Sequence, residues 1–529
     1  MWQRAFSCEE LDDRGARLFR APPRQIAVFR VDSAIYAIDN RCPHEGYPLV
    51  DGQVDDPKCQ LTCAWHNWKF DLKNGDCVLG GDHVRNYPVK EEDGHVWVNV
   101  ADPPIEKTTE RVVEGLERAY EQRDFGRICR EITRLHFAKI DPLLAVRKAL
   151  LWSYDRFEFG TTHAYAAAAD WLRRYSEYDG QWERQLICLA EVVDHIAFDA
   201  LRQPPAPYAA DATQSFTHDG LLEAVETENV PAAEAMIGSG LAAGRQWNDW
   251  EATYAEAALA HFNGFGHSAI YVFKMGQLIE QLGSDVHEWL ALPLIRSLCI
   301  ATREDLLPGF STHADTVSGL LESGFVTSPG EGLTDPFPIS TAKCHEWLLC
   351  HADSHTTEQL YEALLQGICK SLIHFDTAYG SSYERPVADN VGWLDFTHGI
   401  TFANAVRILC SRYPHLWSQG LSQMACMLGR NYRFVDLDVD LESWVVDDEE
   451  AFWAQVRDTE IDHGFRDPTF SAHVIKTAVA VEEEMEVASP QCRKWLQAAL
   501  NRFVHADIKQ KHTRRLARQA VELVQRDYD

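Results

Sequence analysis

Two short segments near the amino terminus each pair a cysteine with a histidine. One residue separates Cys42 from His44, two separate Cys63 from His66, and eighteen residues lie between the two pairs. Two thiolates and two imidazoles can hold a [2Fe–2S] cluster asymmetrically, with the thiolates on one iron and the imidazoles on the other. Neutral ligands make the reduced state less costly than it is in an all-cysteine cluster. The four residues therefore predict a one-electron relay.

The residues around the two pairs argue against a structural zinc ion, the other common use of two cysteines and two histidines. The first segment reads RCPHEG from Arg41 to Gly46, and the second reads CAWHNWKFDLKNG from Cys63 to Gly75. Together they resemble the Rieske ferredoxin-type domain, in which C-x-H-x-G and C-x-W-H-x-W-x-F-D-x-x-x-G flank the cluster. The resemblance extends over residues 1 to about 103. It implies a small all-β domain with the cluster ligands on two loops.

The same resemblance assigns the cluster to one subtype. Rieske proteins of quinol-oxidising membrane complexes have a disulfide between the two loops, whereas Tyr47 and Ala64 occupy those positions here. Asn67 and Lys69 stand where the serine and tyrosine that raise the potential are found. The resemblance thus implies a lower-potential, ferredoxin-like cluster.

Alternating apolar and polar residues support a β-fold independently of the family. Residues 25–39 alternate around Asp32-Ser33, as a half-buried hairpin does. Residues 70–79 turn at Asn74-Gly75 and residues 89–100 turn at Asp93-Gly94, which are strong hairpin signals. We therefore expect several short antiparallel strands.

The pattern changes after a short linker at residues 101–104, which contains two prolines. Apolar residues then recur every three to four positions, as in buried helices. We predict a multidomain chain with an all-β Rieske domain at 1–103 and an all-helical catalytic or substrate domain at 106–529. Two loops, at 203–220 and 323–340, interrupt the helical pattern.

Composition excludes several classes of partner and location. The chain has 529 residues and a net charge of −30, which argues against nucleic-acid and anionic-membrane partners. No segment has the length and apolarity of a membrane span, and the amino terminus lacks the pattern of a secretory signal. The fourteen cysteines show no disulfide-scaffold spacing. We expect a cytoplasmic protein whose cysteines, apart from the two cluster ligands, are reduced thiols.

The usual acceptors of a Rieske electron are missing from the sequence. Ring-hydroxylating oxygenases carry D/E-x-x-H-x-x-x-x-H in an α/β domain, and no such segment occurs here. Di-iron bundles use paired E-x-x-H motifs, of which only 460–463 is a match, in a loop-like stretch. No dinucleotide-binding loop follows a strand. Electrons should therefore come from an external reductase or ferredoxin.

Four segments of the helical part place a histidine near apolar residues. The segments are Thr161–Ala164, Gly264–Tyr271 (GFGHSAIY), Phe396–Thr401 (FTHGIT) and Asp467–Lys476 (DPTFSAHVIK). In this order they resemble segments of the questin-oxidase-like family, helical proteins associated with Baeyer–Villiger-type oxygenation of anthraquinones. The family pattern has a second histidine where this sequence has Tyr271.

These segments supply the candidate catalytic residues, which are His163, His267, Tyr271, His398, His473 and Lys476. Imidazoles converging from several helices, His267 and His398 among them, could bind a mononuclear non-haem iron that activates O₂. They could instead act as general bases on a phenolic or enolisable substrate, with Lys476 stabilising the anion. A histidine in a helix is also often a hydrogen-bonded core residue.

The favoured hypothesis is an O₂-dependent oxidoreductase of the oxygenase or monooxygenase type. Its cluster would feed electrons to the histidine-lined site, and its substrate would be an aromatic or polyketide-like small molecule. The alternatives are catalysis without a metal in the helical domain and a non-catalytic electron-transfer or redox-sensing protein whose helical domain docks a partner. A homo-oligomer, in which the cluster of one chain serves its neighbour, is also open.

Overall fold

The structure is a computed structural model that describes residues 1–209, 214–384 and 389–525. These residues divide into two compact units, Met1–Asp141 and Pro142–Asp529. All strands of the described chain lie in the first unit, and the second unit is helical. The predicted class, a small β-sheet domain followed by a large helical region, is confirmed.

The first unit contains eleven strands and three helices among the described residues. They are β1 Trp2–Ser7, α1 Cys8–Asp12, β2 Ala16–Ala21, β3 Arg24–Val31, β4 Ala34–Asp39, β5 Gln53–Asp55, β6 Gln60–Thr62, β7 Lys69–Asp71, β8 Cys77–Leu79, β9 Asn86–Tyr87, β10 Val89–Glu92, β11 His95–Asn99, α2 Ile105–Gln122 and α3 Phe125–Phe137.

The strands form three antiparallel sheets with the orders β1-β11-β10, β2-β3-β4-β9 and β5-β6-β7-β8. All three predicted hairpins are present, as β3–β4, β7–β8 and β10–β11. Asp93 and Gly94 have φ values of 51° and 69°, the left-handed backbone that a tight hairpin turn requires. Alternating residues of the strands fill two apolar cores, one of which includes Cys42 and Cys63.

Helices α2 and α3 belong to the same compact unit as the strands. A buried ion pair joins α3 to the loop between β8 and β9. Arg130 Nε and Arg134 Nη2 each donate to Asp82 Oδ2 at 2.9 Å, and Asp82 is only 1% exposed. The unit therefore extends beyond the linker at which the sequence pattern changes. The domain bounds 1–103 and 106–529 remain predictions.

The second unit contains eighteen helices among the described residues. They are α4 Leu144–Ser153, α5 His163–Glu177, α6 Trp182–Ala200, α7 His218–Glu226, α8 Val230–Ala242, α9 Glu251–Leu259, α10 His267–Leu282, α11 His287–Ile300, α12 His313–Ser323, α13 Thr341–His351, α14 Thr357–Ile373, α15 Ala378–Ser381, α16 Trp393–Arg412, α17 Trp417–Arg430, α18 Glu449–Ile461, α19 Pro468–Met485, α20 Pro490–Val504 and α21 Thr513–Gln525. No described helix combines the length and the apolar character that crossing a bilayer requires.

Four of these helices close a ring at the centre of the unit. Helix α5 packs against α10 and α19, and α16 packs against the same two helices. Each is buried on most of its surface, which agrees with a sequence that is apolar nearly all round. The run of alanines at 166–169 in α5 lets its neighbours approach closely while favouring the helix. The ring therefore provides a rigid frame for residues on its inner face.

One of the two predicted loops lies wholly within the described residues. The loop at 323–340 is confirmed, since α12 ends at Ser323 and α13 begins at Thr341. The loop at 203–220 includes residues 210–213, which lie outside the described residues, and its last three residues already belong to α7.

Candidate functional site

The first candidate site lies on two loops of the β-unit that have the same backbone design. The Cys42 N–H donates to the carbonyl of Tyr47 at 2.9 Å, and the Cys63 N–H donates to the carbonyl of Trp68 at 2.8 Å. Four residues after each cysteine, Gly46 and Asn67 adopt φ values of 78° and 59°. Glycine, and next to it asparagine, tolerate this left-handed backbone best. The motif spacing therefore encodes two matching turns.

These turns bring all four predicted cluster ligands together. His44 Nδ1 and His66 Nδ1 are 3.0 Å apart, and the two rings meet edge to face. Both thiols are buried, and burial raises the pKa of Cys42 to about 11, with the neighbouring Cys63 thiol adding to the rise. Two adjacent thiols and two adjacent imidazole nitrogens fit the donor set of an asymmetrically ligated [2Fe–2S] cluster.

The two sides of this site differ in their exposure. Cys42 and Cys63 lie in the apolar core, whereas His66 is exposed and His44 is partly exposed. The Trp68 ring stacks on His44 at 4.9 Å between ring centres, and Trp65 beside His66 is 57% exposed. The histidine edge is therefore the side from which an electron can enter or leave. All fourteen cysteines are free, so no disulfide joins the two loops.

The second candidate site lies within the ring of helices α5, α10, α16 and α19. Each helix contributes one of the predicted histidines, His163, His267, His398 and His473, which we call the four-histidine site. His267 Nε2 lies 3.0 Å from His163 Nε2 and 2.8 Å from His398 Nε2. The His473 ring is centred 5.1 Å from that of His163 and 4.9 Å from that of His398.

Main-chain carbonyls orient three of these imidazoles. The Nδ1 atoms of His267, His398 and His473 contact the carbonyls of Gly264, Leu394 and Thr469, one turn earlier in the chain. A carbonyl only accepts hydrogen bonds, so each Nδ1 carries the proton and each neutral ring presents an unprotonated Nε2. Fixing the ring through Nδ1 in this way is a common feature of metal-ligating histidines.

This tautomer leaves the contact between His267 Nε2 and His398 Nε2 without a proton. Two lone pairs at 2.8 Å repel each other unless a positive species lies between them. Burial lowers the pKa of His267 to about 4 and that of His398 well below its ordinary value, so an imidazolium is disfavoured. His163, His398 and His473 each place one ligand nitrogen within 4.8 Å of the other two, so this group could hold a metal ion.

Lys476 stands beside the four-histidine site on α19. Its Nζ is buried and has no hydrogen-bond partner among the described residues. Burial lowers the pKa of Lys476 to about 8, while the Asp170 carboxylate acts in the opposite direction. Asp170 itself accepts from Lys274 Nζ at 2.7 Å. A layer of buried charge therefore lies next to the imidazoles.

The site has one accessible side. His163 and His267 are partly exposed, whereas His398 and His473 are buried. Tyr271 follows His267 by one turn, with its ring centre 5.3 Å from that of His267. Phe265 lies on the other side, 4.8 Å from the His398 ring and under the Arg430 guanidinium. Aromatic surfaces therefore flank the imidazoles.

The structure also contains site residues that the sequence did not reveal. Asp170 and Lys274 each follow a site histidine by seven residues, two helical turns along the same face, a spacing that could have indicated them. Glu460 of the single E-x-x-H match is buried and pairs with Arg174 at 2.8 Å. His463 of the same match has a side chain only 10% exposed, and its Nε2 lies 3.2 Å from Glu191 Oε1.

Comparison with known proteins agrees with the first site. The model of the Rieske [2Fe-2S] domain matches residues 1–89. The ferredoxin subunit of 3-phenylpropionate/cinnamic acid dioxygenase from Photorhabdus laumondii is 33% identical over 96 residues, which cover 18% of this chain and 90% of that protein. The chain thus belongs to the Rieske [2Fe-2S] family through its amino-terminal domain.

Two further matches cover the same part of the chain. The 4beta-methylsterol monooxygenase of Methylococcus capsulatus is 34% identical over 108 residues, which are 18% of this chain but only 28% of that enzyme. The ferredoxin of carbazole 1,9a-dioxygenase from Nocardioides aromaticivorans is 23% identical, with 18% of this chain and 96% of that one covered and a TM-score of 0.18. These likenesses concern the Rieske domain.

Proposed function

We propose that this protein is an O₂-dependent oxidoreductase in which the Rieske domain supplies electrons to a mononuclear iron held by the four-histidine site. The observation that carries the proposal is the convergence of unprotonated Nε2 atoms from His267 and His398, each ring fixed through its Nδ1. Imidazole donors suit iron, copper, nickel and zinc. The one-electron relay in the same chain favours iron, because zinc would not use the electrons.

The Rieske domain supports the electron-transfer half of the proposal. Several relatives of this domain are components of oxygenase systems, one as a ferredoxin subunit and one as part of a monooxygenase. A [2Fe–2S] cluster held by Cys42, His44, Cys63 and His66 would carry one electron at a time. Its exposed edge at His66 and Trp65 offers a docking face for an external reductase or ferredoxin.

The helical unit would provide the oxygen chemistry. Iron bound at the four-histidine site would activate O₂ for insertion of one oxygen atom into the substrate. That reaction consumes one substrate, one O₂, two electrons and two protons, and it yields the oxygenated product and water. A one-electron carrier must therefore be reduced twice per turnover. The three imidazoles that carry their proton on Nδ1 would bind the iron through Nε2 and would not deliver protons.

The substrate class follows from the surroundings of the site and from the questin-oxidase-like resemblance, which remains a prediction. Phe265 and Tyr271 flank the imidazoles with aromatic surface, and Lys476 adds a buried cation. Aromatic stacking and pairing with a phenolate or enolate suit these groups. We infer an aromatic or polyketide-like molecule.

A direct test is O₂ uptake by the full chain supplied with a reduced ferredoxin-type donor and a hydroxyanthraquinone. We expect substrate-dependent O₂ uptake that is lost in Cys63→Ser and in His398→Ala. The matched control is His374→Ala, since His374 is also buried with its Nδ1 on a main-chain carbonyl but lies outside the site. Unchanged turnover in His398→Ala would refute the site assignment.

Catalysis without a metal is the second candidate, and Lys476 favours it. A buried ammonium group that has no hydrogen-bond partner in the described part of the chain would repel a metal ion and would instead stabilise a substrate anion. An imidazole would then take the substrate proton as a general base. This candidate predicts turnover with only the two irons of the cluster, whereas the leading proposal requires a third iron.

A further inference from the structure

A second group of metal-type ligands lies away from the four-histidine site, among helices α12, α13 and α17. His313, His345 and Cys426 place one ligand atom each within 4.8 Å of the other two. All three side chains are nearly inaccessible, at 2%, 2% and 0% exposure. No sequence motif joins them, because the three residues come from distant parts of the chain. Neither the resemblance nor the proposed function assigns them a role.

One distance within this group agrees with tetrahedral zinc coordination. His345 Nε2 is 3.6 Å from Cys426 Sγ. Zinc bonds of about 2.0 Å to nitrogen and 2.3 Å to sulfur, at a tetrahedral angle, would place these two atoms about 3.5 Å apart. His313 Nε2 is buried and has no hydrogen-bond partner among the described residues. A metal ion would satisfy this nitrogen.

Hydroxyl groups contact the Nδ1 atoms of both imidazoles. His313 Nδ1 contacts Ser422 Oγ at 2.8 Å, and His345 Nδ1 contacts Thr312 Oγ1 at 2.6 Å. These contacts leave Nε2 of each ring as the ligand atom, as second-layer groups do around zinc. Ser422 Oγ also lies 3.2 Å from His345 Nε2, on the side of the proposed ion. The alternative is a proton on His345 Nε2 donated to the Ser422 carbonyl at 3.0 Å. Proton and metal compete for the same nitrogen.

We propose that His313, His345 and Cys426 bind a Zn²⁺ ion that ties α12 and α13 to α17. Nitrogen and thiolate ligands together select zinc over hard cations such as Mg²⁺ and Ca²⁺. Binding releases the Cys426 thiol proton to solvent, and no electron is transferred. Helix α17 packs against α16, which carries His398, so the ion would stiffen one wall of the helical unit. The proposal does not depend on the oxygenase assignment.

The test is the zinc content of the full-length protein after exposure to Zn²⁺ and removal of excess ion, measured by mass spectrometry. We expect one tightly bound zinc per chain in the wild-type protein and in His398→Ala, and loss of that zinc in Cys426→Ser and His313→Ala. The matched control is Cys369→Ser, which removes an equally buried thiol on another helix. It should retain the zinc.

Loading with Co²⁺ tests the site in the wild-type protein, so the result does not depend on whether the ligand variants fold. Wild-type protein loaded with Co²⁺ should show a thiolate-to-metal absorption band and the intense visible bands of a tetrahedral site, and Cys369→Ser should show the same. Zinc content unchanged by Cys426→Ser would overturn the proposal. So would wild-type protein that binds no zinc or shows no thiolate band.

Discussion

At the residue scale, the two loops that carry the predicted cluster ligands share the same main-chain hydrogen-bond pattern. Cys42 and Cys63 are fixed by equivalent main-chain hydrogen bonds and buried in one core. Cys63→Ser should abolish the visible absorption and circular dichroism of the cluster in purified protein. Cys59→Ser is the control, because Cys59 is buried in the same core but is not one of the four predicted ligands. Equal loss in both variants would show that packing, not ligation, is being measured.

Gly266 forms the turn that precedes His267 of the four-histidine site. It precedes His267 with φ of 79°, and a Cβ there would lie 2.7 Å from Phe402. Gly266→Ala should cost about 2 kcal/mol or more, combining left-handed strain with overpacking, and should weaken metal binding. The cost is measured as a shift of the urea midpoint.

Gly244 separates the two causes of that loss. Its φ is 77°, close to that of Gly266, but a Cβ there would meet nothing within 4 Å. Gly244→Ala should therefore show only the left-handed strain, about 1 kcal/mol, and keep the metal. Similar costs for both alanine variants would contradict the packing role of Gly266.

At the element scale, the interaction of α3 with the strands rests on one buried carboxylate. Asp82 accepts from Arg130 and Arg134, and these guanidinium groups hold its pKa below the ordinary value although burial acts in the opposite direction. Asp82→Asn should lower the free energy of unfolding of the first unit by about 2 kcal/mol at pH 7. Loss of the visible circular dichroism of the cluster on heating reports this unit.

The sign of the pH dependence follows from the lowered pKa. A carboxyl whose folded pKa is depressed stabilises the fold above its unfolded pKa and loses that contribution as the pH falls through the folded pKa. The difference between wild type and Asp82→Asn should therefore stay constant from pH 8 to 5 and shrink only below about 4. A difference that disappears by pH 6 would rule out this ion pair as the cause.

Strands and helices could be predicted from the sequence, whereas contacts between distant residues could not. The sequence contains local signals, such as the turn pair Asp93-Gly94 and the change to helical periodicity after the linker. The strands and helices that these signals predict are present. Asp82, Arg130 and Arg134 carry no local signal, because a charge pair is formed only when the chain folds. The group of His313, His345 and Cys426 could not be predicted for the same reason, because its members meet only on folding. The residues of the four-histidine site, in contrast, stood in recognisable segments.

At the scale of the whole molecule, buried histidines should make the helical unit sensitive to acid. Burial lowers the pKa of histidines outside the two proposed metal sites, including His195 and His374. The unfolded chain takes up protons near pH 6.5 that the folded chain does not, so the free energy of unfolding falls as the pH drops below that value. The thermal midpoint from far-ultraviolet circular dichroism should fall between pH 7.5 and 5.5. His195→Gln should reduce that fall, and an unchanged fall would remove His195 from the explanation.

The two units together define the central claim, which is that one chain combines a one-electron relay with a separate iron site. The most direct measurement is the iron content of the anaerobically purified full-length protein together with its two site variants. We predict three irons per chain in the wild type and in His374→Ala, and two in His398→Ala with the spectrum of the cluster unchanged. Two irons in the wild type, with the cluster intact and O₂-dependent turnover preserved, would contradict the account.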